Sequence, residues 1–520
     1  MKQAQPSKPA VDPVELEVFR QLLESTAAEM GTVLRKTSFS ANIKERRDYS
    51  CAVYDAHGDT IAMGDHMPVH LGAMPLSVRE AVQSFQLQPG DVVLLNDPFR
   101  GGTHLPDITA VAGVFFDDSP RPEYFVASRA HHADVGGMSP GSMPLAKEIY
   151  QEGLRIPPIR LIREGELDRP LLDLILANVR TPREREGDLM AQLMALKRGE
   201  ARLREMAARY GLPRCRQLNR ALMDYSERMM RAELRRLPVG RFEFEDYLDG
   251  GLTVKVAVTL AKGSAVIDFT GSSPQADAPV NANYAIALSA TMYVFRCLIE
   301  EDVPYTEGLV RPIRVIAPLG TVVNAREPAA MAAGNVETSQ RITDVVLGAL
   351  AQAAPGRIPA ASAGTMSNIS FGGTNAAGQR FAYYETIAGG HGAAGARNGA
   401  SGTHSHMTNS WNTPIEAFEH NYPLRVRRYS LRRGSGGPGQ QRGGDGIVRE
   451  LEFLTAAEFT LLADRRERGP YGLNGGEAGQ TGAATLIRGR RAVVLPGRTR
   501  LELEPGDRIR IETPGGGGWG

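Results

Sequence analysis

The stretch DVVLLNDPFRGGTHLPDIT, residues 91–109, leads from a short apolar segment directly into a loop rich in glycine and proline. The apolar segment predicts a buried strand that ends before Pro98. The loop then places His104 and Asp107 three residues apart, where glycine and proline disfavour a regular element. We interpret Asp97, just before Pro98, as a turn acid. The stretch therefore predicts a strand end that presents one imidazole and one carboxylate from irregular backbone.

Strand patterns lie on both sides of this loop. DYSCAVYDAHGD, ITAVAGVFF and EYFVASRAHH are rich in β-branched and aromatic residues, so we expect residues 48–135 to be largely sheet. A second pairing of histidine with aspartate follows in SRAHHADVGG, where His131 or His132 precedes Asp134. If the strands share one sheet, their ends bring the two pairings together.

Two imidazoles with carboxylates form a mixed nitrogen and oxygen ligand set. Such a set suits Zn, Mn or Fe(II) and does not select sharply among them. A divalent ion with an open position lowers the pKa of bound water to about 7 or polarises a carbonyl. Neighbouring residues of a strand point to opposite faces, so the sequence leaves open which of His131 and His132 faces the ion. Asp48, at the start of a strand, is a further candidate ligand. Considered apart from the other motifs, it is expected to form an ion pair with Arg46 or Arg47.

The remaining patterns predict an α+β protein. Asp12 and Pro13 are typical of a helix start, and about 166–236 has helical periodicity with Gly211 as one stop. We expect Thr338 and Ser339 to cap a helix over RITDVVLGALAQAAP. The predicted regions are a disordered start at 1–11, an N-terminal metal-site region of mixed sheet with a helical insert at 12–236, a middle α+β region at 237–424 and a β-rich C-terminal region at 425–520.

Composition limits the classes of partner and compartment. The 520 residues include 60 basic and 59 acidic side chains, so no attraction to nucleic acid or to an acidic membrane surface is predicted. Three separated cysteines form no CxxC pair, which argues against a disulfide framework or a thiolate zinc site. No apolar run approaches the roughly 20 residues of a membrane helix. These features predict a soluble, cytoplasmic protein.

Other motifs carry weaker signals. GMSPG resembles the GxSxG nucleophile elbow around Ser139, but this short pattern arises easily in a chain with 57 glycines. His404 and His406, in GTHSHMTN, are predicted to share one face of a strand, with a surface or substrate-contact role. No GxxxxGK[ST] motif occurs, which argues against a P-loop for ATP.

Six motifs in fixed order resemble one family. They are GDVVLLNDPFRGGTHLPD, AHHADVGG, GNVETSQRITDVV, YYETIAGGHGA, LRRGSGGPGQQRGGDG and TPGGGGWG. From about residue 12 to 520 the chain is similar to the B component of the hydantoinase/oxoprolinase family, which includes the matching subunits of acetone and acetophenone carboxylases and of caprolactamase-type, lactam-opening enzymes. The resemblance is specific for the family and weak for the substrate.

The resemblance implies a B subunit in a hetero-oligomeric, ATP-dependent complex. A hydantoinase A-type partner with an ATPase fold would bind ATP and phosphorylate the small-molecule substrate, and the B subunit would hydrolyse the activated cyclic amide with metal-activated water. Carried over by motif, the metal ligands would be His104, Asp107 and one histidine of the pair, His131, with Asp48 as a fourth. His132 and Asp134 would have catalytic roles, orienting a ligand or moving a proton.

Two alternatives remain open at this point. The chain could belong to an ATP-dependent ketone carboxylase, which would be recognised by bicarbonate dependence and a ketone substrate. It could instead be a non-catalytic scaffold stabilised by a metal, in which case His104→Ala would lower thermal stability and leave complex activity intact. Pocket shape decides specificity, so the sequence does not choose between hydantoin, oxoproline, another lactam and a ketone.

Overall fold

The computed structural model describes residues 11–64, 67–117 and 119–520. Helices and four sheets of mostly antiparallel strands share this part of the chain, which confirms the predicted α+β class. The start predicted at 1–11 lies outside the described residues except for its last position. Among the residues described, no helix is both long enough and apolar enough to cross a membrane.

Seven antiparallel strands form the first sheet, which carries the predicted ligands. In chain order they are β1 (Tyr49–Asp55), β2 (Thr60–Met63), β3 (Val92–Leu95), β4 (Asp107–Val114), β5 (Tyr124–His131), β6 (Ile159–Arg163) and β7 (Glu166–Leu167). Their spatial order is β2-β1-β5-β4-β3-β6-β7. Both faces are buried: Cys51 and Ala130 belong to one core cluster, whereas Ala52 and Ala127, an odd number of residues away on the same strands, belong to another.

Six helices accompany this sheet: α1 (Pro13–Thr37), α2 (Ala41–Lys44), α3 (Ala73–Ser84), α4 (Arg169–Ala177), α5 (Pro182–Tyr210) and α6 (Leu212–Arg236). The Asp12 side chain accepts a hydrogen bond from the backbone N–H of Val14, which confirms the predicted helix start. Gly211, with φ of 76°, ends α5 as predicted, and α6 begins at the next residue. Helices α1 and α5 cover one face of the sheet and α3 covers the other.

The middle of the chain forms a four-stranded sheet with helices. It contains β8 (Gly240–Leu248), β9 (Leu252–Ala261), β10 (Ser264–Asp268), α7 (Tyr284–Cys297), α8 (Glu307–Val310), β11 (Ile313–Ile316) and α9 (Ser339–Ala353). The strand order is β11-β10-β9-β8, and the pair β10 and β11 is parallel. Helix α9 packs on β8 and β9 through an apolar core.

The entry into α9 differs from the prediction. A π-helical turn, Gly334–Thr338, precedes the helix, so the chain is already helical where a cap was expected. The Thr338 hydroxyl donates to the carbonyl oxygen of Val280, and the Ser339 hydroxyl donates to that of Asn335. The predicted cap is therefore wrong, because both hydroxyls bind carbonyl oxygens and not helix-start N–H groups.

The C-terminal part contains two sheets that share a core. Its elements are β12 (Asn368–Thr374), β13 (Arg380–Glu385), α10 (Ile415–Asn421), β14 (Leu424–Arg432), β15 (Gly446–Phe453), β16 (Ala457–Leu462), β17 (Ala483–Arg488), β18 (Arg491–Val494), β19 (Arg498–Leu503) and β20 (Arg508–Glu512). The orders are β13-β12-β16-β19 and β14-β15-β20-β17-β18. Because β12 pairs with β16, strands from before residue 425 join strands from after it.

Glycine-rich segments cross one another at this end of the molecule. Gly390 faces the carbonyl oxygen of Gly444, and Gly443 faces that of Gly516, so closely that a Cβ at Gly390 or Gly443 would collide with it. Backbone groups fill the space that side chains would occupy elsewhere. Close backbone approach therefore accounts for the glycine clusters here.

Candidate metal centre

His104, Asp107 and His131 each contribute one ligand atom to a cluster in which these atoms lie within 4.8 Å of one another. All three side chains are buried. Asp107 begins β4 and His131 ends β5, and the two are direct partners across the antiparallel pair. We call these three residues the triad. The structure thus joins the two sequence motifs and places His131, of the histidine pair, beside Asp107.

The loop before Asp107 is held in an irregular course by hydrogen bonds. The side chain of Asn96 donates to the carbonyl oxygen of Leu105 at 2.8 Å, which ties the start of the loop to its end. A Cβ at Gly102 would collide with the carbonyl oxygen of Asn96, so the close turn requires glycine. Asp97 accepts from the N–H of Phe99 at 3.0 Å, in agreement with its interpretation as a turn acid.

The contacts of His104 direct its inner nitrogen, Nε2, toward Asp107. Its Nδ1 lies 3.2 Å from the carbonyl oxygen of Ala332, which accepts only from a protonated Nδ1. In the neutral ring, Nε2 then carries a lone pair, and it lies 3.2 Å from Oδ1 of Asp107. Two lone-pair atoms at this distance fit a shared cation, and a histidine bound to a carbonyl through its outer nitrogen is typical of metal ligands.

Burial and neighbouring groups shift the pKa values of two triad residues, His131 and Asp107. Burial lowers the pKa of His131, which favours the neutral ring. Burial alone would raise the pKa of Asp107, but the neighbouring His104 and His70 hold it well below its usual range. A neutral imidazole and an ionised carboxylate are the forms that bind a metal. Nε2 of His131 is buried without a hydrogen-bond partner among the described residues, so the donor set fits a divalent ion.

Asp48 lies beside the triad on the neighbouring strand. The N–H of His131 donates to the carbonyl oxygen of Asp48 at 3.0 Å. The carboxylate of Asp48 lies 4.0 Å from the guanidinium of Arg46, the ion-pair partner considered from the sequence. Burial raises the pKa of Asp48, and the charges of His131 and Arg46 oppose that rise. Its role as a fourth ligand stays a prediction.

Several neighbours of the triad were absent from the sequence prediction. His70, in a 3-10 turn at Pro68–His70, places Nε2 3.3 Å from Oδ2 of Asp107 and Nδ1 2.8 Å from the hydroxyl of Ser50. Nδ2 of Asn335 lies 3.0 Å from Nε2 of His104. The ring of Tyr384 stacks on His131 at 4.4 Å between centroids. The motifs GNVETSQ and YYETIAGG, noted only for the family resemblance, were the available signals for Asn335 and Tyr384.

His132 and Asp134 lie on the other face of the sheet from the triad. His132 is hydrogen-bonded through Nε2 to Oε1 of Gln192 at 2.9 Å, and burial lowers its pKa to about 4. Asp134 accepts hydrogen bonds from Arg180 and from the N–H of Thr181. These partners tie the end of β5 to the start of α5. The catalytic roles of His132 and Asp134 stay predictions.

The remaining sequence candidates lie away from the triad's hydrogen bonds. No helix follows Ser139 directly, and its buried hydroxyl has no hydrogen-bond partner among the described residues, so the nucleophile-elbow match is wrong. His404 and His406 do not share a strand, because the chain turns there and His406 has φ of 56°. Instead, the carbonyl oxygen of His404 accepts a hydrogen bond from His391, and His406 lies 3.4 Å from the hydroxyl of Tyr293.

A family model described as Hydantoinase B/oxoprolinase matches residues 12–520. An uncharacterized protein of Methanocaldococcus jannaschii is 40% identical and covers 98% of this chain and 91% of its own length. The 5-oxoprolinase 1 of Arabidopsis thaliana is 39% identical over 98% of this chain, which spans only 42% of that relative.

A solved structure has the same fold. The ATP-dependent caprolactamase from Pseudomonas jessenii superposes with a TM-score of 0.91 at 30% identity, over 98% of this chain and 91% of that one. The family model and this likeness both extend over almost the entire chain, in agreement with the order of motifs in the sequence. This chain is a member of the hydantoinase B/oxoprolinase family.

Proposed function

We propose that this chain is the B subunit of an ATP-dependent cyclic-amide hydrolase and that ring opening is completed at the triad. The observation that carries the proposal is the buried set of His104, Asp107 and His131, whose ligand atoms lie within 4.8 Å of one another inside a chain of this family. When bound, a divalent ion such as Zn, Mn or Fe supplies activated water or a polarised carbonyl.

Each residue of the centre has a distinct task in this proposal. His104, Asp107 and His131 hold the ion, with Asp48 as a fourth ligand from the neighbouring strand. Oδ2 of Asp107 accepts from the hydroxyl of Thr103 at 2.9 Å, so its other oxygen is fixed toward the two histidines. Burial of the triad excludes bulk water, which strengthens every electrostatic interaction there.

His132 and Asp134 act on the centre through the backbone in this proposal. The N–H of His132 donates to the carbonyl oxygen of Pro106 at 2.8 Å, immediately before the ligand Asp107. Asp134, through Arg180, fixes the chain that follows His132. Both residues then position His131 and Asp107 and do not exchange protons with substrate.

An A-type ATPase partner completes the proposed assembly. The sequence contains no P-loop, and the caprolactamase that shares the fold is described as ATP-dependent. The chain spans 42% of 5-oxoprolinase 1, so more than half of that relative lies outside the matched part. In the proposed assembly, the partner uses ATP to phosphorylate a small cyclic amide, and the B subunit opens the activated ring.

Reconstitution tests this function. The chain is co-expressed with a hydantoinase A-type protein, and hydantoin, 5-oxoproline and caprolactam are each assayed for ring opening with and without ATP. We expect ATP-dependent opening of at least one substrate, and no opening by the isolated chain. Opening without ATP would contradict the proposal, and ketone consumption that requires bicarbonate would assign the chain to the carboxylase alternative.

A further inference from the structure

Two rows of polar side chains cross one face of the first sheet, on the adjacent strands β1, β5 and β4. The first row contains the triad residues from β4 and β5, with Asp48 beside them. The second row lies two residues further along each strand, which is roughly 7 Å away. From β1 to β4 it contains, in register, Ser50, Arg129 and Thr109.

Arg129 is the charged member of the second row, and it is completely buried. Its Nε donates to the hydroxyl of Thr109 at 2.8 Å and its Nη2 donates to that of Ser77 at 2.6 Å. Its Nη1 is buried without a hydrogen-bond partner among the described residues, and no carboxylate of those residues lies at ion-pair distance from it, although the charge of Asp107 acts on it from further away. Two neutral hydroxyls therefore hold the guanidinium plane but do not balance its charge, which is a costly arrangement for a buried cation.

The buried charges around the triad indicate which kind of ligand the site favours. Asp48 and Asp107 are acidic, whereas Arg46 and Arg129 are basic, so the formal charges of these four buried side chains cancel. A divalent ion held by the triad would then add two positive charges that these four side chains do not balance. A site of this kind favours an anionic ligand, because buried charge requires compensation.

We infer that Arg129 makes the centre an oxyanion site and that its free Nη1 faces an anionic group of the substrate. The ligand class is an oxyanion, either the phosphoryl group of an activated substrate or a carboxylate. A guanidinium donates along fixed directions, and Thr109 and Ser77 already orient it, so little ordering is needed on binding. This inference rests on the proposed metal centre and adds the charge of the substrate to it.

Binding measurements on the full chain test this inference without turnover. Arg129→Met removes the charge while retaining an apolar stem, and Arg129→Lys retains the charge without the planar fork. Free Mn²⁺ is followed by electron paramagnetic resonance, and the affinities of the Mn²⁺-loaded protein for inorganic phosphate and for acetate are measured by calorimetry. The phosphate and acetate arms distinguish the two sources of an oxyanion.

The Arg129→Met variant should change the two affinities in opposite directions. We expect Mn²⁺ to bind about tenfold tighter or better, because a nearby positive charge is lost, and phosphate or acetate to bind about tenfold weaker or worse. If Arg129 had a merely structural role, the substitution would lower the affinities for Mn²⁺ and for the oxyanion together, and that result would overturn the inference. Unchanged affinity for both oxyanions would overturn it as well.

Arg129→Lys provides the second variant if Arg129→Met does not fold. It should leave the affinity for Mn²⁺ nearly unchanged. It should lower the affinity for the more tightly bound oxyanion by about threefold to tenfold, because an ammonium lacks the bidentate fork. Oxyanion affinity equal to that of the unaltered chain would contradict the inference. Failure of the proposed function would appear separately, as absence of ATP-dependent ring opening by the unaltered complex.

Discussion

Nδ1 of His131 lies 3.4 Å from Oδ1 of Asp107, across two antiparallel strands in which these residues are direct partners. The register that places them together also turns His132, the next residue, to the opposite face. Substitution of each histidine should therefore have a different effect. We expect His131→Asn to lower metal affinity by at least about a hundredfold and His132→Asn to retain bound metal, measured by elemental analysis after dialysis. Equal loss from both variants would contradict this assignment.

Thr103 provides a test of how the ligand carboxylate is oriented. Its hydroxyl donates to Oδ2 of Asp107 at 2.9 Å, so Thr103→Val removes one fixing hydrogen bond at nearly constant volume. We expect metal affinity to fall about tenfold, since partners of a ligand typically contribute at that level. Thr26→Val is the matched control, because that buried hydroxyl donates only to the carbonyl oxygen of Leu22 within α1. Affinity unaffected by Thr103→Val would show that Asp107 does not depend on this bond.

Glu152 should make stability depend on pH. Burial raises the pKa of this carboxyl from 4.5 to about 8, while its Oε1 accepts from the N–H groups of Met331 and Ala332. Because the pKa in the folded protein exceeds the ordinary value, the stabilising contribution is complete below pH 4.5 and is lost as the pH rises through about 8. Between roughly pH 6 and pH 9, the Tm of the Glu152→Gln variant should therefore fall less than the Tm of the unaltered chain.

A surface carboxyl controls for the general effect of pH. Glu416 is exposed, and the Glu416→Gln variant should show the same change in Tm with pH as the unaltered chain. If Glu152→Gln shows that same change too, Glu152 does not ionise in this range and the pKa assigned to it is incorrect.

Arg341 joins the middle sheet to the C-terminal part through a buried ionic cluster. Its guanidinium contacts Asp246 at 2.8 Å, Asp344 at 3.1 Å and Asp464 at 3.3 Å. Arg341→Met would remove the one cation that contacts all three carboxylates and leave them to share Arg465 and Arg498, so we expect a loss of about 3 to 5 kcal/mol in the free energy of unfolding by urea. The exposed ion pair that Arg204 forms within α5 provides the control. Arg204→Met should lower the free energy of unfolding by about 0.5 kcal/mol or less. Similar losses from both would contradict the assigned importance of the cluster.

Local patterns explain why much of the metal centre could be predicted. Alternating and β-branched segments identify β1, β4 and β5, and the strand ends then mark His104, Asp107 and the histidine pair. The choice between His131 and His132 required the register of β4 against β5, which a single strand pattern does not specify.

Tertiary placement explains what the sequence could not predict. Asn335 lies 231 positions from His104 in the chain, and Tyr384 reaches His131 from a strand of another sheet. The start of α9 has hydroxyl residues at the spacing of a cap, yet a π-helical turn leads directly into the helix and those hydroxyls bind carbonyl oxygens. Local propensity does not report such partners, because they depend on which distant backbone lies alongside.

If the triad's ion is required for ATP-dependent ring opening, the activity of the reconstituted complex must follow its metal content. The ring-opening rate is therefore measured after chelation as a function of metal returned. We expect the rate to rise in proportion to occupancy and to saturate at one ion per chain, and we expect a complex with His131→Asn to stay inactive throughout. Full turnover by the metal-depleted complex, or by the His131→Asn complex, would contradict it.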